Sequence, residues 1–225
     1  MKNKTSTVVF ITLVLIAKLS FAESCMPKPA EFHFLNADVV FTGKVENIEE
    51  LGKQDEMYVK SKVRLNVEEV LKGDVSDSVV VFENTYYGAM FKENERYLVF
   101  AGFLDEELLT GSCSGTKNMK YLSDEFKKIE RINQLIQGQM KSIKNLDEDE
   151  ELKYEISIVD DGAIEYKQYD ENGRLLFHDT FKDGEHIWRQ FFNDGMYKYI
   201  EYLYKNGKLI YLKKYDQNGK LILEE

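Results

Sequence analysis

Apolar residues along this chain follow several rhythms. From Thr7 to Ala17 they form a charge-free run behind Lys2 and Lys4, ended by Lys18. That is the pattern of a signal peptide, with an apolar core too short to cross a bilayer as a helix. From 37 to 113 the period is two. Val39, Phe41 and Val45 share one face of a predicted strand with Thr42 and Lys44 on the other, and Val63, Leu65 and Val67 oppose Lys62, Arg64 and Asn66. Leu71-Lys72-Gly73-Asp74 reads as a turn. Ser78 to Phe82 and Tyr97 to Phe103 are apolar enough to be buried, and Glu107 to Cys113 completes a set of five strands. Five such strands fit a small closed barrel of the OB type, which leaves no exposed edge.

The period then becomes helical. Phe126, Ile129, Ile132, Leu135 and Ile136 make one apolar stripe behind Ser123 as N-cap, with Asp124 and Glu125 in the first turn and Gly138 as the C′ residue. This helix is expected to pack on the barrel. Asn145 to Leu152, with its Asp-Glu-Asp-Glu-Glu run, reads as a solvated linker over 141–153. Beyond it, Gly162, Gly173, Gly184, Gly195, Gly207 and Gly219 each follow Asp or Asn at spacings of 11, 11, 11, 12 and 12 residues. Asp-Gly and Asn-Gly supply the positive φ of hairpin turns. An aromatic residue precedes most of these turns (Tyr169, Phe181, Phe192, Tyr204, Tyr215), and an apolar one often follows (Ile164, Leu175, Ile187, Leu209, Leu221). Single hairpins bury too little to be stable, so a stacked array is predicted. The fold class expected is mainly β: signal peptide 1–22, OB-type domain 23–140, linker 141–153 and hairpin array 154–225. The barrel is expected to fold without residues 154–225.

Composition changes this picture in two ways. A net charge of −10 argues against nucleic acid and anionic membrane surfaces as partners. The two cysteines, Cys25 and Cys113, read as a disulfide in an exported protein, worth roughly 4 to 5 kcal/mol at most in the chain-entropy model. Signal cleavage is expected after Ala22, with Ser20 and Ala22 as the small residues; a cut after Ser24, or lipidation of Cys25, are the alternatives. No transmembrane segment remains after cleavage.

The repeat unit, Tyr169-Asp170-Glu171-Asn172-Gly173-Arg174-Leu175 and Tyr215-Asp216-Gln217-Asn218-Gly219-Lys220-Leu221, resembles bacterial MORN-like repeats. The first domain is similar to the netrin and tissue-inhibitor-of-metalloproteinase (TIMP) family, an OB barrel. The likeness rests on Glu23-Ser24-Cys25-Met26-Pro27, on Asn36-Ala37-Asp38-Val39-Val40 through Val45, and on Tyr97-Leu98-Val99-Phe100-Ala101-Gly102 running to Thr110-Gly111-Ser112-Cys113. In that family Cys25 matches the second cysteine of a Cys-x-Cys start and Cys113 its partner. Glu23 stands in place of the first cysteine, Tyr87-Gly88 in place of that cysteine's partner, and Leu35 in place of a third. The resemblance implies a mature start at Glu23. It also implies an N-terminal wedge of Glu23, Ser24, Cys25 and Met26, whose first α-amino nitrogen and carbonyl oxygen, or the Glu23 carboxylate, ligate a target enzyme's zinc. Without the first bridge the wedge is looser, and ordering it costs affinity.

Other chemistry is thin. His33, His178 and His186 have no zinc-like spacing. Gly111-Ser112-Cys113-Ser114-Gly115 matches a nucleophile elbow only formally, because the chain has no βαβ rhythm. The turns opening at Asp170 and Asp216 lack the distal Glu of a calcium loop. The aromatic residues, including Trp188, Phe191 and Phe192, read as ladder packing ahead of sugar or base stacking. The expectation is a secreted or periplasmic, non-enzymatic scaffold that binds a protein partner and needs no cofactor. Inhibition of a zinc metalloprotease through the mature N-terminus is the alternative, and an enzyme the reading with least support.

Overall fold

The computed structural model describes residues 28–53, 58–86, 90–111, 113–192, 198–205 and 208–225. After a short helix, α1 (Ala30–Asn36), come β1 (Val39–Lys53), β2 (Tyr58–Lys72), β3 (Ser78–Tyr86), β4 (Arg96–Leu104) and β5 (Glu107–Gly111). They close a five-stranded barrel of the OB type in the order β1-β2-β3-β5-β4, with β4 returning to β1 and β3 parallel to β5. The period-two reading holds: Val39, Phe41, Val45, Val63, Leu65, Val99 and Leu108 fill the barrel. Phe103, by contrast, is 44% exposed.

A two-residue β6 (Lys117–Asn118) and a single 3₁₀ turn lead to helix α2 (Glu125–Ile136). Its first helical residue follows Asp124, not Ser123. The Glu125 carboxylate, held at about 2 despite partial burial, accepts from Lys117 Nζ (2.6 Å) and the Ser123 backbone N–H (2.8 Å). Ile129, Ile132 and Leu135 are buried, while Phe126 and Ile136 at the stripe's margins stay exposed.

The second sheet holds eight antiparallel strands in chain order: β7 (Ser142–Leu146), β8 (Leu152–Ile158), β9 (Ile164–Tyr169), β10 (Leu175–Lys182), β11 (Glu185–Phe191), β12 (Tyr199–Lys205), β13 (Lys208–Tyr215) and β14 (Leu221–Glu224). The segment expected to be a linker therefore carries strand β7, and its acidic run is a hairpin turn. Asp147 Oδ1 accepts from the N–H groups of Asp149 (3.0 Å) and Glu151 (2.8 Å). Asp170 and Asp216 do the same two and four residues on, at 2.9 Å each. Asp147 and Asp170 lie 23 residues apart, and Asp216 two such steps further. The true period is thus a strand pair. The first turn lacks the glycine signature because Glu150, at φ 64°, stands where Gly173 and Gly219 stand later. Gly162, Gly173, Gly184 and Gly219 all have positive φ. Among these four glycines only Gly184 sits in a two-residue turn, with Asp183 before it also at positive φ. Gly195 and Gly207 lie outside the described residues.

One hydrophobic core joins the two bodies. Val40, Leu98 and Phe100 on the barrel's outer side pack with Phe32 and Phe34 of α1, with Ile129, Ile132 and Leu135 of α2, and with Ile143, Tyr154, Ile156 and Tyr166 of the array. Leu98 and Phe100 are as buried as the barrel interior, because helices and array cover that side of β4.

Candidate functional site

The expected wedge residues Glu23, Ser24, Cys25 and Met26 lie outside the described residues. The chain is described from Lys28 onward, and there the N-terminal segment is held on two sides. On the barrel side, His33 of α1 lies against Phe100 (ring centroids 5.9 Å) and against the turn that carries Cys113. That turn is closed by the Ser114 N–H donating to the Gly111 carbonyl (3.0 Å) and by Ser114 Oγ donating to the same oxygen (2.7 Å). Burial pushes the His33 ring down to about 4, so it sits there neutral. A Cβ on Gly115 would come within 2.4 Å of the His33 ring, and its φ is +90°. Gly115→Ala should therefore cost about 2–5 kcal/mol, summing positive-φ strain and overpacking. Gly138→Ala, with φ +72° and nothing near, should cost only the backbone part, about 1–2 kcal/mol. Denaturant midpoints measure both, and equal losses would mean α1 is not seated on the Cys113 turn.

On the array side, Lys28 Nζ stands 4.1 Å from the Phe177 ring centroid and 4.9 Å from those of Phe32 and Tyr166, and donates to Gln168 Oε1 (2.9 Å). Burial pulls its pKa down to about 8, and the nearby Asp179 carboxylate works against that fall. Asp179 is fully buried. Its Oδ1 accepts from His186 Nε2 (2.7 Å), and its Oδ2 has no hydrogen-bond partner among the described residues. Three aromatic faces and one carboxylate make a low-dielectric seat for a cation. The seat was invisible in the sequence because Phe32, Tyr166 and Phe177 come from α1, β9 and β10. Close by, Glu31 is fully buried, accepts from Tyr154 Oη (3.2 Å) and is raised in pKa by burial. The far end of α1 is closed by Lys72, whose ammonium donates to the carbonyls of Phe34 (2.7 Å), Leu35 (3.0 Å) and Ala37 (2.5 Å).

The remaining candidates resolve into structural roles. His186 is stacked on Phe181 (4.4 Å) and bound to Asp179; His178 Nε2 lies 3.1 Å from Glu165. Among the described residues no group of three or more His, Cys, Asp or Glu is placed to hold a metal ion. Asp170 and Asp216 spend Oδ1 on turn N–H groups, which is why those turns resemble calcium loops without the distal ligand. Trp188 stacks between Phe177 (6.1 Å) and Tyr202 (4.8 Å), so its faces are turned on neighbouring rings. Cys113 lies in a tight turn between β5 and β6, with no strand-to-helix elbow around it. No helix among the described residues is long and apolar enough to cross a membrane. No protein-family model matches the chain, and no curated protein matches it either.

Proposed function

We propose that this is an exported, disulfide-bonded, non-enzymatic binding protein of the cell envelope or extracellular space, in which a netrin- and TIMP-like barrel and a MORN-like array together present the N-terminal segment to a protein partner. The observation that carries the reading is the double seating of that segment, His33 on the Cys113 turn and Lys28 in the aromatic seat of the array. A recognition segment ordered beforehand loses less entropy on binding. Cys113 is not a free thiol, and Cys25 is the other cysteine of the chain. A Cys25–Cys113 bridge would fix the segment again, three residues before Lys28. Intact mass spectrometry of the exported protein with and without reduction tests this. The expected result is a start at Glu23 and two thiols that alkylate only after reduction. Two thiols alkylated in native material would overturn the reading.

A second reading, inhibition of a zinc metalloendopeptidase by Glu23 and Ser24, is favoured by the same seating, because a zinc-directed amino terminus five residues before Lys28 needs a rigid root. One extra Ala ahead of Glu23 should abolish such inhibition and leave scaffold binding intact. Inhibition that survives the insertion would sink this reading alone.

A further inference from the structure

Barrel and array meet in a cleft of about 860 Å³. On the barrel side its walls are Phe103 and Ile136, 44% and 47% exposed; on the array side they are Phe181 and Tyr204. Asp38, Asp161, Asp183 and Glu185 line it against two cations, Lys72 and Lys182. Neither cation is available to a ligand. Lys72 is spent on three carbonyls of the α1 terminus, and Lys182 is bound to Asp161 (2.9 Å). Glu185 shares Lys205 (3.0 Å) at an exposed position, and Asp38 gives one oxygen to the Phe103 N–H (2.7 Å). The cleft is therefore lined by apolar and polar groups in similar measure, and its carboxylates outnumber its lysines four to two. Lys208 of the array also pairs with Asp105 of the barrel (2.6 Å), both more than half exposed, and such a surface pair contributes little to holding the two together.

We infer that this cleft is a docking site for a basic, aliphatic segment of a partner protein, with lysine or arginine heads at the carboxylate rim and their stems along Phe103, Ile136 and Tyr204. The inference rests on the binding-protein reading and adds the chemistry of the partner. An anionic or purely apolar occupant would leave the rim uncompensated. A long cationic side chain satisfies both surfaces, since its methylene stem packs while its head stays at the polar edge. Charge complementarity of this kind sets specificity and on-rate and weakens with salt.

The test uses the full mature protein and two synthetic peptides, Leu-Lys-Leu-Lys-Leu and Leu-Glu-Leu-Glu-Leu, both capped. Calorimetry and amide chemical shifts are followed at 50 and 500 mM salt. The lysine peptide should bind, shift the amides of Phe103, Ile136 and Asp183, and lose at least tenfold in affinity at high salt. The glutamate peptide should not bind. The double variant Asp183→Asn, Glu185→Gln keeps turn-compatible residues and should weaken binding at least tenfold with little change in the thermal midpoint. No binding of the lysine peptide, or binding unaltered in the double variant, overturns the inference. Because no natural partner enters the titration, that failure is separate from failure of the binding-protein reading, which would show as native thiols that alkylate without reduction.

Discussion

A chain cut after residue 141 should lose cooperative unfolding and bind a hydrophobic dye at room temperature, although all five barrel strands remain. The cut removes Ile143, Tyr154, Ile156 and Tyr166 from the shared core. Burying a side chain of that size is worth about 1.5–3 kcal/mol, so the four together account for roughly 6–12 kcal/mol. The whole stability of a domain is commonly about 5–15 kcal/mol. The cut also bares Phe32, Phe34, Ile132 and Leu135 on the other side of the interface. A cut after residue 192 should behave differently. Phe177 is the last hydrophobic residue among those described that is buried in the core, so the strands beyond β11 add little to the junction, and the shortened protein should still melt cooperatively. Circular dichroism and urea titration of the two truncations separate these outcomes. A chain ending at 141 that unfolds cooperatively within a few degrees of the full protein would show that the barrel and its helices are self-sufficient.

Periodicity found what alternates and missed what is assembled from a distance. Val39, Phe41 and Val45 were legible because only one face of β1 meets the barrel interior at those positions. Val40, Leu98 and Phe100 were not, since their burial depends on helices and an array supplied by other parts of the chain. Helix α1 spans seven residues, too few to display a helical period, and its terminus is closed by Lys72 from the end of β2. Strand β7 was hidden by the charge of the turn that follows it, where Glu150 and not a glycine takes the positive φ. The candidate site was least legible of all. No pattern in one dimension singles out Lys28, Glu31 or Asp179, and only the packing of separate elements buries the two carboxylates and half-buries the lysine.

Asp179→Ala should cost about 1–3 kcal/mol, because it leaves the half-buried Lys28 cation among rings without the nearby carboxylate that supports its charge. It also leaves His186 Nε2 without its acceptor. The alkaline limb of the stability curve reports the same pair. The folded pKa of Lys28 lies near 8, below its ordinary value of 10.5, and Lys72 is lowered to about 8 in the same way. Between those two values the unfolded chain holds protons that the folded chain has released, so stability rises with pH across that window. Tyr154 and Tyr166 act in the opposite sense. Burial raises both above the ordinary tyrosine value of 10, so above pH 10 the folded state keeps protons that the unfolded state loses, and stability falls. The urea midpoint should therefore climb from pH 8 toward 10 and drop beyond it. Lys28→Met removes one of the two rising contributions and should shallow the climb, with the remainder due to Lys72. In Asp179→Ala the Lys28 ammonium loses the one charge that supports it, so its share of the climb should begin below pH 8. An Asp179→Ala protein whose midpoint follows the parental curve at every pH would mean that Lys28 does not depend on this carboxylate, and that the array does not hold the N-terminal segment through charge.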